Sequence, residues 1–275
     1  MKPRLGQHFL KNKTAVRKII DALSIQPGET VIEVGPGREA LTGDLHRAIT
    51  AHGGKLILIE LDRDIAVALH EKYGTDPIVT IVNEDALTAL PKLVADRKLE
   101  IGNWKLVGNI PYYITGKLLR IIGDLPHLPR RTVLMIQKEV AERVAAQPPH
   151  MNLLAAAVQL WADPKMLFSL PPADFDPPPG VHSAVISLKN RPVLAASADR
   201  DTYYRVIHVL FKQPRKTLLN NLAEGLSRTK SELEELIKPL GYDQKTRSQE
   251  LSVSAITALA SLLKEKGIEI PSSRS

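Results

Sequence analysis

The chain has no cysteine, which removes disulfides, thiolate zinc sites and cysteine nucleophiles from consideration and fits a reducing compartment. Nor does it hold an apolar run near the roughly 20 residues that cross a bilayer. Its longest nearly apolar stretch, Leu153 to Ala162, is interrupted by Gln159. Residues Met1 to Thr14 carry Lys2, Arg4, His8, Lys11 and Lys13 where a secretory signal needs an apolar segment, so a cytoplasmic chain without a membrane partner is expected. There is no internal repeat, and no His–carboxylate pair stands out as a nucleophile-activating constellation. Any chemistry rests on oxygen, nitrogen or a cofactor, and no metal site is expected.

What is present is a full core and an excess of positive charge. With 275 residues, 44% of them hydrophobic, the chain can build one large domain and a small one. Its net charge of +7 and pI near 9.5 point toward a polyanionic partner, because Lys and Arg on phosphates release condensed counterions.

Short runs rich in Val, Ile and Leu recur at Thr30–Val34, Lys55–Glu60, Ile78–Asn83, Trp104–Gly108 and Thr132–Gln137. Between them lie helix-length segments, Leu41–Ala51, Arg63–Tyr73 and Thr115–Leu125, with Lys138–Ala146 following and Thr115 placed to cap its helix. This alternation predicts an α/β fold with a mostly parallel sheet covered on both faces. A proline-rich turn, Asp176 to Gly180, leads into Ser183–Leu188, read as a late antiparallel strand that closes the sheet in a hairpin. The aperiodic segment Asn190 to Asp201 reads as a linker, dividing the chain into domains 1–191 and 192–275. The second is a small all-α domain, with amphipathic helices expected at Tyr203–Phe211, Lys216–Gly225, Lys230–Leu240 and Ser252–Lys266.

The strongest site signal lies at strand ends. Val31-Ile32-Glu33-Val34-Gly35-Pro36-Gly37 ends a buried strand in a tight turn before a helix, so a ligand can approach Gly35 and Gly37 without meeting side chains. The next strand ends in Glu60, a carboxylate able to accept both hydroxyl hydrogens of a ribose. The third ends at Glu84-Asp85-Ala86, within reach of an adenine amine. Together these favour a nucleoside-like cofactor, although a structural turn, a solvated strand end or a helix cap would explain each residue alone. A dinucleotide fold fits worse, because the third glycine is missing and Pro36 separates the first two.

At the fourth strand end stand Asn109-Ile110-Pro111-Tyr112. The N6 lone pair of adenine is delocalised into its ring and attacks a sulfonium methyl poorly until acceptors draw the N–H groups out of plane. The Asn109 side-chain oxygen and the Ile110 carbonyl are such acceptors, Pro111 fixes the backbone without a competing donor, and Tyr112 can stack on the base. No strong general base is needed when the methyl donor brings its own leaving group. Read alone, the tetrapeptide is also an ordinary strand-to-helix turn.

With these motifs and three more, the chain resembles the ribosomal RNA adenine dimethyltransferases, a family that also includes the erythromycin-resistance methyltransferases and mitochondrial transcription factor B. The further motifs are Leu5-Gly6-Gln7-His8-Phe9-Leu10, Met135 to Arg143, and Phe175-Asp176-Pro177-Pro178-Pro179-Gly180 through Val185. The resemblance covers nearly the whole chain and is closest to the small-subunit enzymes. It implies a Rossmann-like class I methyltransferase sheet. It further implies that His8, Leu10, Gly35, Gly37, Glu60, Asp85, Ala86 and Asn109 line an S-adenosylmethionine site, and that Tyr112 and Phe175 sandwich a flipped adenine. In the helical domain it marks Lys212, Arg215, Lys216 and Arg247 as RNA-binding. Arg38-Glu39 departs from the family's small or apolar pair, and Glu39 near the cofactor's carboxylate is unfavourable unless it turns away.

The resemblance implies N6,N6-dimethylation of two adjacent adenosines in a 3′-terminal hairpin loop of small-subunit ribosomal RNA, within an assembling subunit. A monomer is expected, since no exposed apolar stripe demands a dimer. Three readings compete: large-subunit dimethylation giving macrolide resistance, a non-catalytic RNA- or DNA-binding factor, and a protein-glutamine methyltransferase, which more usually carries Asn-Pro-Pro-Tyr.

Overall fold

The computed structural model describes residues 8–95, 102–191 and 199–271. They fall into two compact units, one within 1–142 and 163–190, the other within 143–162 and 191–275.

The first unit is built on a seven-stranded sheet. In chain order its elements are β1 (Phe9–Leu10), α1 (Lys13–Leu23), β2 (Thr30–Val34), α2 (Thr42–Ala51), β3 (Lys55–Glu60), α3 (Arg63–Tyr73), β4 (Val79–Asn83), α4 (Ala86–Ala95), β5 (Trp104–Asn109), α5 (Thr115–Asp124) and β6 (Arg131–Gln137). Then follow α6 (Lys138–Ala145), α7 (Leu153–Gln159), which belongs to the second unit, and β7 (Ala162–Leu170), β8 (Phe175–Asp176) and β9 (Ser183–Asn190). The sheet order is β4-β3-β2-β5-β6-β9-β7, with β1 and β8 forming a separate pair. Strands β2 to β6 are parallel and β9 runs antiparallel to β6. Val31, Ile32, Leu56, Leu58, Leu106, Val107, Val133 and Leu134 are all buried, the pattern of strands covered on both faces. The order reverses at β2, which has β3 on one side and β5 on the other. Doubly wound sheets open a crevice at the carboxyl end of such a switch point.

Several elements differ from the sequence expectation. A helix not expected from the sequence, α1, follows the basic first residues and is capped by Asn12, whose side chain accepts from the Ala15 amide. Its Ala15, Val16, Ile19 and Leu23 are buried while Lys and Arg cover the outer face, so the charges conceal an amphipathic helix. Helix α4 contains Pro91 in its interior, which disguises it. Thr115 does not cap α5: the 3₁₀ turn Tyr112–Ile114 runs directly into the helix, Ile114 is already helical, and the Thr115 hydroxyl makes no hydrogen bond among the described residues.

The second unit contains α7 together with α8 (Arg200–Leu210), α9 (Leu218–Leu226), α10 (Lys230–Ile237) and α11 (Val253–Glu265). Ala155, Ala156 and Leu160 share one core with Tyr203, Ile207, Leu222 and Ile256, and the Tyr203 hydroxyl donates to the Ala156 carbonyl at 3.0 Å. A single boundary at residues 191 and 192 therefore assigns 143–162 to the wrong unit. The stretch beginning at Leu153 is apolar because it fills the helical core, a long-range pairing that local sequence does not reveal.

At the amino end of the sheet, Glu29 is fully buried beside Lys105 at 2.6 Å and Arg130 at 3.3 Å. Burial raises the Glu29 carboxyl, but Lys105, the Gln26 amide and Arg130 outweigh it and hold the group below its usual range. Its stabilising contribution is present above the unfolded carboxylate pKa and is lost as pH falls through the lowered folded value. Glu29→Gln is expected to cost about 3–5 kcal/mol by leaving Lys105 buried without its counterion. In urea unfolding the double variant Glu29→Gln/Lys105→Met should be less impaired than Glu29→Gln alone.

Candidate active site

One pocket gathers the carboxyl ends of β2, β3, β4 and β5. Gly35 and Gly37 turn the chain out of β2 with φ of +67° and +54°, values that an L side chain adopts only under strain. A Cβ on Gly37 would lie 3.0 Å from the Phe9 ring, and one on Gly35 would meet the Asn109 carbonyl at 3.7 Å. The turn is thus packed between the first residues of the described chain and the end of β5.

Glu60, buried at the end of β3, holds this turn. Its Oε2 accepts from the Gly37 amide at 3.1 Å and its Oε1 from the Asp62 amide at 2.9 Å. Burial pushes the carboxyl above its usual range against the pull of those two amides. Each oxygen keeps a lone pair for a ligand hydroxyl. Asp85 follows β4, and its Oδ1 accepts from the Leu87 amide at 2.9 Å, so it closes the first turn of α4 while lining the pocket with Ala86.

Asn109 ends β5. Its Nδ2 donates to the His8 carbonyl at 2.8 Å, and a carbonyl partner accepts only from the NH₂ side of the amide, so Oδ1 is left as the acceptor. Tyr112 is fixed by its hydroxyl against Ser183 Oγ at 2.7 Å. Burial raises that hydroxyl's pKa while Ser183 lowers it. The His8 ring stacks on Tyr112 with centroids 6.0 Å apart and planes 26° apart, and His8 Nδ1 lies 2.8 Å from the Pro177 carbonyl. His8 thereby touches both Asn109 at the end of β5 and Tyr112 in the turn that follows.

The pocket brings together His8, Gly35, Gly37, Glu60, Asp85, Ala86, Asn109, Pro111 and Tyr112. Leu10 and Phe175 do not line it. They are directly paired between β1 and β8 and buried in the core of the first unit; Phe175 is 1% exposed. The resemblance puts Phe175 against a flipped base, while its place in the hairpin also allows a core plug; in the structure the β1–β8 pair carries it into the core, where burying a large ring is favourable.

The sequence reading missed Glu33, two residues before Gly35 within β2. It lines the pocket, is 1% exposed, and its Oε2 makes no hydrogen bond among the described residues. Burial raises its pKa to about 8, with the nearby Thr42 hydroxyl opposing and the charges of Glu39 and Glu60 adding to the rise. The available signal was a charged residue in the middle of an apolar strand. Phe9, Tyr113 and Lys117 also line the pocket. Glu39, at φ +61°, instead accepts from the Tyr73 hydroxyl at 2.8 Å and pairs with Lys72. Its carboxylate is paired on α3 and does not line the pocket, although its charge still acts on Glu33. Arg38 reaches over the Phe9 ring at 4.4 Å toward Asp176 at 3.5 Å.

In the second unit, Lys212 and Lys216 flank Glu224, at 4.0 and 2.8 Å. Thr217 bridges Arg247 backbone to backbone. The two stretches read as RNA-binding, around Lys212–Lys216 and Arg247, are therefore adjacent, and Lys212, Arg215, Lys216 and Arg247 are exposed.

Comparison with known proteins places this geometry. The profile described as "Ribosomal RNA adenine dimethylase" matches residues 1–264. A protein from Pelotomaculum thermopropionicum named "Ribosomal RNA small subunit methyltransferase A" is 37% identical over 274 residues, covering 96% of this chain and 91% of that protein. One of the same name from Synechococcus sp. is 38% identical over 267 residues, covering 94% and 92%. The crystal structure of a dimethyladenosine transferase from Plasmodium falciparum superposes with a TM-score of 0.78 at 23% identity, over 96% of this chain and all of that one. It supports the Rossmann-like fold. The chain belongs to the ribosomal RNA adenine dimethylase family.

Proposed function

We propose that this protein transfers methyl groups from S-adenosylmethionine to N6 of two adjacent adenosines in a 3′-terminal hairpin loop of small-subunit ribosomal RNA. It acts as a cytoplasmic monomer on the assembling small subunit. The observation that carries the reading is the orientation of Asn109: with Nδ2 committed to His8, Oδ1 is the side of the amide that can accept at the carboxyl edge of the sheet. The names of the relatives favour the small subunit over the large.

The pocket's donor set fits the methyl donor. Glu60 retains lone pairs for a ribose diol, Asp85 lies on the next strand end for an adenine amine, and the orphaned Glu33 Oε2 offers a buried partner to a cationic group. When bound, S-adenosylmethionine supplies an activated methyl on a sulfonium that departs neutral. The protein's own task is alignment. Asn109 Oδ1 and the Ile110 carbonyl hold the N6 protons, bringing the nitrogen lone pair out of conjugation and toward the methyl. Pro111 offers no amide to compete for those acceptors. Tyr112, locked by Ser183, presents one face for the base, which must leave its stack to reach the pocket. Lys212, Arg215, Lys216 and Arg247 grip phosphates and set which adenosine is delivered.

The deciding assay is transfer of labelled methyl from S-adenosylmethionine to immature small ribosomal subunits, followed by nucleoside analysis. Dimethyladenosine is expected, with Asn109→Ala lowering kcat by about 10²–10³, the usual effect of losing one oriented hydrogen-bonding group. Tight subunit binding with no transfer by the unmodified protein would favour a binding factor instead.

Glu33 gives a pH signature. Because its folded pKa of about 8 lies above its ordinary 4.5, its contribution to the stability of the ligand-free protein is full below the unfolded value and lost as pH rises through about 8. A cationic ligand favours the ionised carboxylate, so S-adenosylmethionine should bind more tightly as pH rises from 7 toward 9, by about tenfold over the whole span and levelling off above the pKa of about 8. Titration calorimetry on Glu33→Gln should show weaker binding with that slope abolished.

A further inference from the structure

We propose that Tyr113 and Lys117 form a second nucleotide subsite at the mouth of the pocket, taking the nucleotide next to the target adenosine. The Tyr113 ring stacks on its base and the Lys117 ammonium meets its phosphate. The proposal rests on the function proposed above and adds a determinant of substrate recognition to it.

The two neighbouring tyrosines are treated differently by the fold. Tyr112 is half-buried and its hydroxyl is held by Ser183. Tyr113, the next residue of the same 3₁₀ turn, is 65% exposed yet lines the same pocket. Single apolar side chains on a surface need no explanation; one at the lip of a site that receives a planar base does. A base can cover this exposed ring without specific hydrogen bonds, because every base has a π-face.

Charge gives the direction. Lys117 is exposed on the first turn of α5, four residues beyond Tyr113, and lines the pocket with it. Glu84 and Asp85 line it as well. These carboxylates repel a phosphodiester, whereas Lys117 attracts one. A base extruded into a pocket leaves its flanking phosphate and neighbouring base at the mouth, where Tyr113 and Lys117 stand. With two adjacent target adenosines, the subsite holds one while the other reacts.

The test compares Tyr113→Ala, Tyr113→Phe and Lys117→Gln with the unmodified protein, using labelled S-adenosylmethionine and immature small subunits, with donor affinity measured separately by calorimetry. Tyr113→Ala is expected to lower kcat/KM for the subunits about tenfold or more, the scale of one base–aromatic stack, mainly through KM. Donor affinity should stay within about twofold, and Tyr113→Phe should recover most of the loss. Lys117→Gln should raise KM and make it less steep in salt concentration. An unchanged kcat/KM for Tyr113→Ala, a matching loss in donor affinity, or equal damage from Tyr113→Phe would each overturn the subsite while leaving the methyltransferase reading intact. Absence of transfer by the unmodified protein would instead defeat the reading on which the subsite rests.

Discussion

The hydrogen bond from the Gly37 amide to Glu60 joins the turn after β2 to the end of β3, and the rest of the site is arranged around it. It fixes where the glycine turn lies, which fixes the approach to the Asn109 carbonyl on one side and the Phe9 ring on the other. It also keeps a carboxylate at a buried position, a costly placement unless backbone amides compensate for lost water. Asn83 adds to this anchoring by donating from Nδ2 to the Glu60 carbonyl at 2.9 Å. Three successive strand ends are therefore linked by polar contacts before any ligand arrives, the kind of preorganisation that reduces the cost of binding.

The electrostatics divide between pocket and surface. Although the chain is basic overall, its pocket is lined by Glu33, Glu60, Glu84 and Asp85, with Lys117 at its edge. An acidic pocket inside a basic protein suits a cationic small molecule inside and a polyanion outside. Glu39 would have added another carboxylate to this crowd. Its left-handed backbone and its contacts to Lys72 and Tyr73 instead carry the charge onto α3. The departure from the family's small residue is accommodated by changing the direction of a side chain.

What was legible in the sequence follows from how local each signal is. The alternation of strands and helices, the glycine turn, Glu60, Asp85 and Asn-Ile-Pro-Tyr are readable because strand ends announce themselves within a few residues, and the parallel topology then brings them to one edge. Glu33 escaped because its significance is its burial, which a five-residue strand does not declare. For Phe175 the sequence left a base contact and a core position both open, because its orientation depends on pairing with β1, more than 160 residues earlier in the chain. Helix α1 was hidden by its own charges and α4 by Pro91. The Asn109 orientation is set by the carbonyl of His8, an interaction no motif encodes.

The discontinuous helical unit has a consequence for synthesis and for dissection of the protein. Helix α7 leaves the ribosome some forty residues ahead of α8 and about a hundred ahead of α11, whose side chains complete its core. During that interval Ala155, Ala156 and Leu160 have no apolar cover from those helices, and an incomplete chain with uncovered apolar surface is prone to associate. The same holds for a fragment cut after residue 191: it would retain the sheet together with a helix belonging to the missing core. The linker that looks like the natural place to cut is the last of three crossings between the units, so separating them takes excision of residues 143–162 as well as truncation after residue 190.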